Sequence, residues 1–302
     1  MDPQREMHVQ EDEIPRANLA PRTAFNDYII LHEIGRGLYA ESYMVVDRYS
    51  RRTLVLKVNV QDPTDDSYRT ELRVLNAIRR RLHFPSISNN FIEGNLECIV
   101  MTYAGLSIDR MMNMRGLRHF SAENVVRLGF QIFAAVKSLH DLGFYHRDLH
   151  RGNVTARLNS VGSMIVSLID FGQAQEINYP RPDNYENKTW FSSLALFNGS
   201  PFERVDDYIA VIYTLLYCSG EPPISNNEET WLQEKAEFHL NPLSKIRRVE
   251  NRWLGILYNT IENQRGRGID TVELMNVFYA NRNCDPASRM TIDIIGNSLV
   301  IN

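Results

Sequence analysis

Three side chains stand at a spacing that could do chemistry: Asp148, then Asn153 five positions later, then Asp170 in the next conspicuous run. The two runs are Phe144-Tyr145-His146-Arg147-Asp148-Leu149-His150-Arg151-Gly152-Asn153 and Leu168-Ile169-Asp170-Phe171-Gly172. A carboxylate can take the proton of a hydroxyl, and an amide with a second carboxylate can hold a hard cation. Together they are the set that phosphoryl transfer from a nucleotide requires. Taken singly, each has a plainer account: Asp148 as a turn carboxylate, Asn153 as a cap, Asp170 as the end of a strand. For the joint order and spacing, chance is a poor explanation. His146 and Arg147 read as packing and hydrogen-bonding residues of the loop, since no Ser or Cys sits downstream in a nucleophile setting for His146 to activate.

The elements that must position these groups are legible upstream. Tyr28 to Ile34, Glu41 to Asp47 and Thr53 to Val58 are β-rich runs, with Gly35-Arg36-Gly37-Leu38-Tyr39-Ala40 punctuating the first connection. Those residues make two thirds of a Gly-x-Gly-x-x-Gly loop, in which glycines let backbone amides approach a phosphate; alone it would be an ordinary β-turn. Lys57 lies inside an apolar strand, costly for an ammonium unless it meets a negative partner or snorkels outward. Glu71, in the helical stretch that follows, supplies that partner. It falls beside a stripe of Leu72, Leu75, Ile78 and Leu82 at helical spacing, after a turn and helix start at Asp62 to Ser67.

Phe91-Ile92 and Cys98 to Met101 read as two further strands, and Tyr103-Ala104-Gly105 as a hinge. Beyond Gly105 the spacing predicts helices: Val125 to Leu139 behind Ser121 as N-cap, Asp206 to Cys218, Trp231 to His239, Arg252 to Glu262 and Thr271 to Ala280. Arg79-Arg80-Arg81 reads as a helix end with cations at its negative pole, and Met111, Met112 and Met114 as gap-filling residues.

Composition bounds the rest. Hydrophobic content of 43% and charged content of 23% are those of a soluble globular chain. Lys plus Arg total 33 against 37 for Asp plus Glu, and the net charge of −4 argues against bulk attraction to nucleic acid or anionic membrane. Cys98, Cys218 and Cys284 are far apart with no Cys-x-x-Cys spacing, so they read as reduced thiols. The N-terminal stretch is charged, without the apolar core of a signal peptide. The most apolar run, Tyr208 to Cys218, is too short to span a bilayer. The expectation is a soluble monomer of the cytoplasm and/or nucleus that binds neither nucleic acid nor membrane. Residues 1–24 are expected to form a disordered or loosely attached arm. The apolar tail 286–302 reads as a packing segment rather than a docking strand.

From Tyr28 to Ala280 the chain resembles a eukaryotic protein kinase domain. It is most similar to the casein kinase 1 superfamily and its tau-tubulin kinase-like branch. Ile99 to Asp109 resembles that group's hinge, and Glu203 to Tyr213 its Arg-Arg-Asp-Asp-Leu helix, and the absence of an Ala-Pro-Glu triplet is typical of the group. The resemblance implies an α+β, bilobal fold: a small β-rich N-lobe with one key helix and hinge (25–104), and a larger, mainly helical C-lobe (105–285). It implies Mg-ATP as cofactor and Ser or Thr of proteins as phosphate acceptor. Asp148 would be the catalytic base, with Lys57, His150 and Asn153 in the catalytic set, and Asn153 and Asp170 would hold Mg2+. Ile34, Gly35, Gly37, Val55, Lys57, Glu71, Met101, Thr102 and Ala104 would meet the nucleotide, Met101 as gatekeeper, and Asp207 would brace the catalytic loop.

Four positions depart from the family pattern. His150 stands where a Lys is expected to touch the γ-phosphate, a loss worth on the order of 10²–10³ in rate. Adjacent Arg151 is a partial substitute if it points the same way. Val55 adds bulk before Lys57, and Ala40 replaces the third loop glycine. Asn187 to Ser193 replaces the Gly-Thr-x-Arg-Tyr-Ala-Ser segment, putting Trp190 where an Arg favours acidic substrates. The expected activity is therefore protein Ser/Thr kinase, with a pseudokinase scaffold as the alternative from another class. A small-molecule phosphotransferase is disfavoured by the hinge and by the Asp206-Asp207 helix.

Overall fold

The computed structural model describes residues 16–37, 40–116, 119–178, 185, 188–281, 284–296 and 298–302. The chain divides into two compact units, one of residues up to 79 together with 85–103, the other of 80–84 together with 104–302.

The first unit is an antiparallel sheet with one helix. Its strands are β1 (Ala24–Phe25), β2 (Tyr28–Arg36), β3 (Ala40–Asp47) and β4 (Thr53–Val60), then, after helix α1 (Ser67–Ala77), β5 (Ile87–Glu93) and β6 (Leu96–Met101). They run in the order β1-β2-β3-β4-β6-β5, so β4 is central, and its Leu54 to Val58 are all buried. A run that is apolar on both faces suits a central strand. One face packs Ile30, Tyr43, Val45, Leu56, Val58, Cys98 and Val100 into a core. The start of α1 follows the predicted turn, with Asp62 and Asp65 accepting from the amides of Thr64 and Ser67. The helix ends earlier than the apolar stripe suggests. It is capped at Ile78, Arg80 and His83 adopt φ of 63° and 72°, which no α-helix contains, and Leu82 is exposed.

Residues 16–25 are not the loose arm that their polar composition suggests. The amides of Asn18 and Leu19 donate to Glu41 Oε2 and Tyr43 Oη at 2.9 and 3.1 Å, and Ala17 and Leu19 pack on the sheet core. Partners on β3, distant in sequence, supply what the segment lacks by itself. Residues 1–15 of the expected arm lie outside the described residues.

The second unit is mainly helical. It comprises β7 (Leu106–Ser107), α2 (Ile108–Arg115), α3 (Ala122–Asp141), β8 (Phe144–Tyr145), β9 (Val154–Leu158), β10 (Met164–Leu168), β11 (Gln175–Glu176) and α4 (Leu194–Phe197). These are followed by α5 (Arg204–Cys218), α6 (Trp231–Leu240), α7 (Pro242–Lys245), α8 (Arg252–Glu262), α9 (Thr271–Tyr279), β12 (Ile292–Ile295) and β13 (Ser298–Ile301). Beyond its charged first turn, helix α5 is apolar on nearly all sides and almost wholly buried, the pattern of a central helix. Ser121 caps α3 by accepting from the Asn124 amide. The tail packs as the β12–β13 hairpin, held by the buried Asn124 amide donating to Asn302 O at 2.6 Å.

The boundary between units differs slightly from the expected one. Ala104 belongs to the second unit, its carbonyl accepting from Thr155 Oγ1, and so do 80–84, where His83 Nδ1 lies 2.7 Å from Val166 O. Gly105 is a strict requirement: its φ is 106°, and a Cβ there would sit 2.1 Å from Ala156 O. Among the described residues no helix is long and apolar enough to cross a membrane.

Candidate active site

In the first unit, β4 carries Lys57 and α1 carries Glu71, and their side chains, 10% and 3% exposed, meet with Nζ 2.6 Å from Oε2. Burial makes each charge costly alone, so the pair is mutually required. Val55, two positions before Lys57, is buried in register with Met101 on β6. Thr102 follows, its amide donating to Ser86 O and its hydroxyl accepting from the Ser86 amide. Ile34 falls at a register shift between β2 and β3, beside Gly35. Gly37 closes the turn by donating to Ala40 O at 2.8 Å, and the Arg16 guanidinium donates to Gly37 O at 2.8 Å. Leu38 and Tyr39 lie outside the described residues.

In the second unit, the loop after β8 is built on Asp207, buried in the first turn of α5. Its Oδ2 accepts from the His146 amide at 2.8 Å and its Oδ1 from the Arg147 amide at 2.9 Å, and His140 Nε2 lies 2.7 Å from Oδ2. Burial would raise the Asp207 carboxyl, but the hydrogen bond from His140 and the neighbouring donors outweigh it and hold the group below the ordinary carboxylate range. Burial holds His146 below the usual imidazole value, so it packs as a neutral ring against Phe171, with centroids 5.1 Å apart. Fully buried, with Nε2 3.2 Å from Ile169 O, His146 is not placed to meet a substrate hydroxyl as a general base. Arg147, at φ 69°, turns the chain so that Asp148 emerges beside Asn153.

The Asn153 amide donates through Nδ2 to both the backbone O and Oδ2 of Asp148, at 2.9 and 2.8 Å. With Nδ2 spent there, the planar amide turns its Oδ1 the other way, an oxygen suited to a hard cation. The β9–β10 hairpin pairs Val154 with Leu168, and Ile169 N–H donates to Asn153 O at 3.0 Å. That register brings the backbone leading to Asp170 alongside Asn153, and Asp170 itself is held at φ 63°. Among the described residues no three His, Cys, Asp or Glu stand together as a metal cage. An amide plus a carboxylate suits Mg2+, which takes few protein ligands and completes its shell with phosphate and water.

Between Asp148 and Asn153 the chain carries His150 and Arg151 and no lysine. Gly152 N–H donates to His150 Nδ1 at 3.0 Å, and Nε2 lies 3.8 Å from Asp148 Oδ1. The ring stacks on Phe191 at 5.2 Å and 28°. A Cβ on residue 152 would lie 2.6 Å from this ring, so the ring occupies the space beside Gly152. Arg151 does not take the missing lysine's place. Its Nε pairs with Asp109 and its guanidinium lies over the Tyr217 ring at 3.7 Å. Asp109 and Tyr217 are both remote from it in sequence, one on α2 and the other at the end of α5, so no local signal announces the pairing.

Two further groups escape sequence reading. Lys235 on α6 is fully buried and donates to Trp190 O at 2.6 Å, anchoring the segment whose Phe191 packs on His150. Arg265 pairs with Asp206 at 2.9 Å and with Glu262, and Asp206 also accepts from Ser193 Oγ at 2.5 Å. Burial, the largest influence on Asp206, raises its carboxyl in spite of Arg265. This buried knot ties the segment to α5 in a chain without an Ala-Pro-Glu triplet.

The profile of the protein kinase domain family matches residues 28–297. A Caenorhabditis elegans protein named as a casein kinase I is 25% identical over 168 residues, 54% of this chain and 49% of that protein. A Dictyostelium discoideum protein named as a serine/threonine-protein kinase is 22% identical over 205 residues, 65% of this chain and 41% of its own length. A second C. elegans protein, also named as a serine/threonine-protein kinase, is 25% identical over 202 residues, 62% and 58% respectively. The chain thus spans about half the length of the curated relatives it matches.

Proposed function

The chain belongs to the protein kinase family, and from that premise we propose that it transfers the γ-phosphate of Mg-ATP to Ser or Thr hydroxyls of proteins, with Asp148 as catalytic base. Within the family we place it near the tau-tubulin kinase-like branch of the casein kinase 1 superfamily, on the strength of residues 99–109 and 203–213. The observation that carries the reading is the Asp148–Asn153 clamp, in which one amide fixes the base and presents an oxygen to a cation.

Bound Mg-ATP supplies the phosphoryl group and neutralises charge as it transfers. Each residue's part follows from its surroundings. Lys57, aimed by Glu71, takes nucleotide phosphate oxygens, and Gly35 and Gly37 leave room for backbone amides to do the same. Val55, Met101, Thr102 and Ala104 meet the base. Asn153 and Asp170 hold the metal, and Asp148 accepts the hydroxyl proton. Asp207 pins the amides of His146 and Arg147, so the loop holds its geometry without the substrate.

A radiolabelled-ATP assay on a mixed protein substrate tests this. Incorporation by the native chain that disappears in Asp148→Asn and Lys57→Met is the expected result, and incorporation that survives Asp148→Asn would sink the mechanism. A second reading, a nucleotide-binding scaffold with weak or no transfer, is favoured by one observation. Within 148–153 the ring of His150 is engaged by the Gly152 amide and by Phe191, and the charge of Arg151 is spent on Asp109. Nucleotide binding without transfer would select that reading.

A further inference from the structure

The second unit holds a cavity of about 400 Å3 whose lining includes Asp109, Met112, Tyr217, Pro222, Ile224 and Asn226. It lies between α2, the end of α5 and the loop that follows. We propose that this cavity receives an uncharged apolar side chain of the substrate protein near the phosphorylated hydroxyl, an inference that rests on the kinase reading above. Arg151 is its positioning residue.

Continuity with the reacting centre is the first argument. Arg151 shares the short loop of Asp148, and its guanidinium covers Tyr217 and pairs with Asp109, both in the cavity lining. Extended chain covers at most ~3.5 Å per residue. Three residues and one arginine side chain separate Asp148 from the cavity lining, so a substrate whose hydroxyl meets Asp148 reaches the cavity within roughly five positions.

Charge is the second argument. Among the described residues of the lining Asp109 alone is charged, and Arg151 already neutralises it. A basic side chain would have to compete with a built ion pair, and an acidic one would approach a carboxylate. Neither sign gains, whereas Met112 and Ile224, 5% and 6% exposed, offer a packed apolar floor. Size agrees, since an apolar cavity of ~150 Å3 already holds a benzene ring. The exposed Asn113, Ser225 and Asn226 leave the rim polar.

The test uses short Ser-centred peptides, otherwise Ala and Gly, bearing Leu, Arg, Asp or Ala at each flanking position in turn. With the intact chain, Leu is expected to raise kcat/KM about tenfold over Ala at one position within about five places of the Ser, the usual worth of one filled apolar pocket. Arg and Asp there are expected to gain nothing. The Leu-to-Ala ratio should fall to about 1 in Ile224→Ala, and also in Asn226→Trp, which alters an exposed residue and fills the cavity from its rim. A flat profile with the native chain, or a preference that survives both variants, overturns the proposal while leaving the kinase reading intact. If neither the peptides nor a mixed protein substrate gain phosphate, it is the kinase reading that fails. The cavity is then tested by fluorescence anisotropy with labelled Leu and Ala peptides on the Asp148→Asn protein. Tighter binding of the Leu peptide by about tenfold supports the cavity, and equal binding overturns it.

Discussion

Lys57 and Lys235 are both buried, one in each unit, but what surrounds them differs in kind. Lys57 meets the Glu71 carboxylate at 2.6 Å, so its charge is matched by another charge. Lys235 meets a carbonyl, Trp190 O, at 2.6 Å, and lies over the rings of Tyr213 and Phe197 at 4.4 and 5.2 Å. Carbonyl and ring quadrupole stabilise an ammonium less than a carboxylate does, and burial pulls the Lys235 pKa down to about 7. A buried lysine with a carboxylate is half of an ion pair. One with a carbonyl and rings is a clamp that tolerates losing its charge.

Breaking Lys57 has the largest expected effect. In Lys57→Met, turnover in the radiolabel assay is expected to fall by ~10²–10³, and stability in urea melts by about 3 kcal/mol, because the buried Glu71 carboxylate loses the matching charge of Lys57. Turnover unchanged would dissolve the contrast. Lys235→Met is expected to act on stability and in the opposite direction at low pH. Lys235 ordinarily titrates near 10.5 but near 7 when folded, so from about 7 to 10.5 the unfolded chain binds the extra proton and native stability rises with pH. Below about 7 that contribution is gone. Urea melts of the native chain should therefore gain on the order of 4 kcal/mol relative to Lys235→Met between pH 6 and pH 10. Parallel pH curves would mean that Lys235 titrates normally.

Adding a cation sharpens the comparison further. His150→Lys restores an ammonium beside Asp148, and initial rates are expected to rise about tenfold. No gain would mean that chemistry does not limit turnover. Smallest is Arg16→Ala, which removes the exposed bond to Gly37 O and should cost at most ~1 kcal/mol in a thermal melt. A larger loss would assign the N-terminal segment a role in the sheet beyond this one latch.

The two lysines also mark what could be read without coordinates. Lys57 stands out because a cation interrupts an apolar strand, and Glu71 falls on the inner face of the helix that follows. Lys235 sits in Trp231-Leu232-Gln233-Glu234-Lys235-Ala236, where polar neighbours conceal it. Its burial comes from Trp190, Phe197 and Tyr213, all well before α6 in the chain. The same holds for Arg151. Motif spacing locates the loop, but the direction of a long side chain depends on Asp109 and Tyr217, contacts that only the fold creates. Residues 16–19 defeat a reading from composition for a related reason. Too short to bury themselves, they order on Glu41 and Tyr43, and composition carries no record of a partner strand.

The Asn153 clamp on Asp148 has a consequence for how the molecule responds to acidity. An amide has no proton to gain or lose at ordinary pH, so the hold on Asp148 is indifferent to pH in a way that a carboxylate at position 153 would not be. A second acid there would also repel Asp148 and trade protons with it. With a neutral amide in place, this contact adds no titration of its own to the loop. Any pH dependence of turnover then originates in ionising side chains, Asp207 beneath the loop among them, or in the substrates.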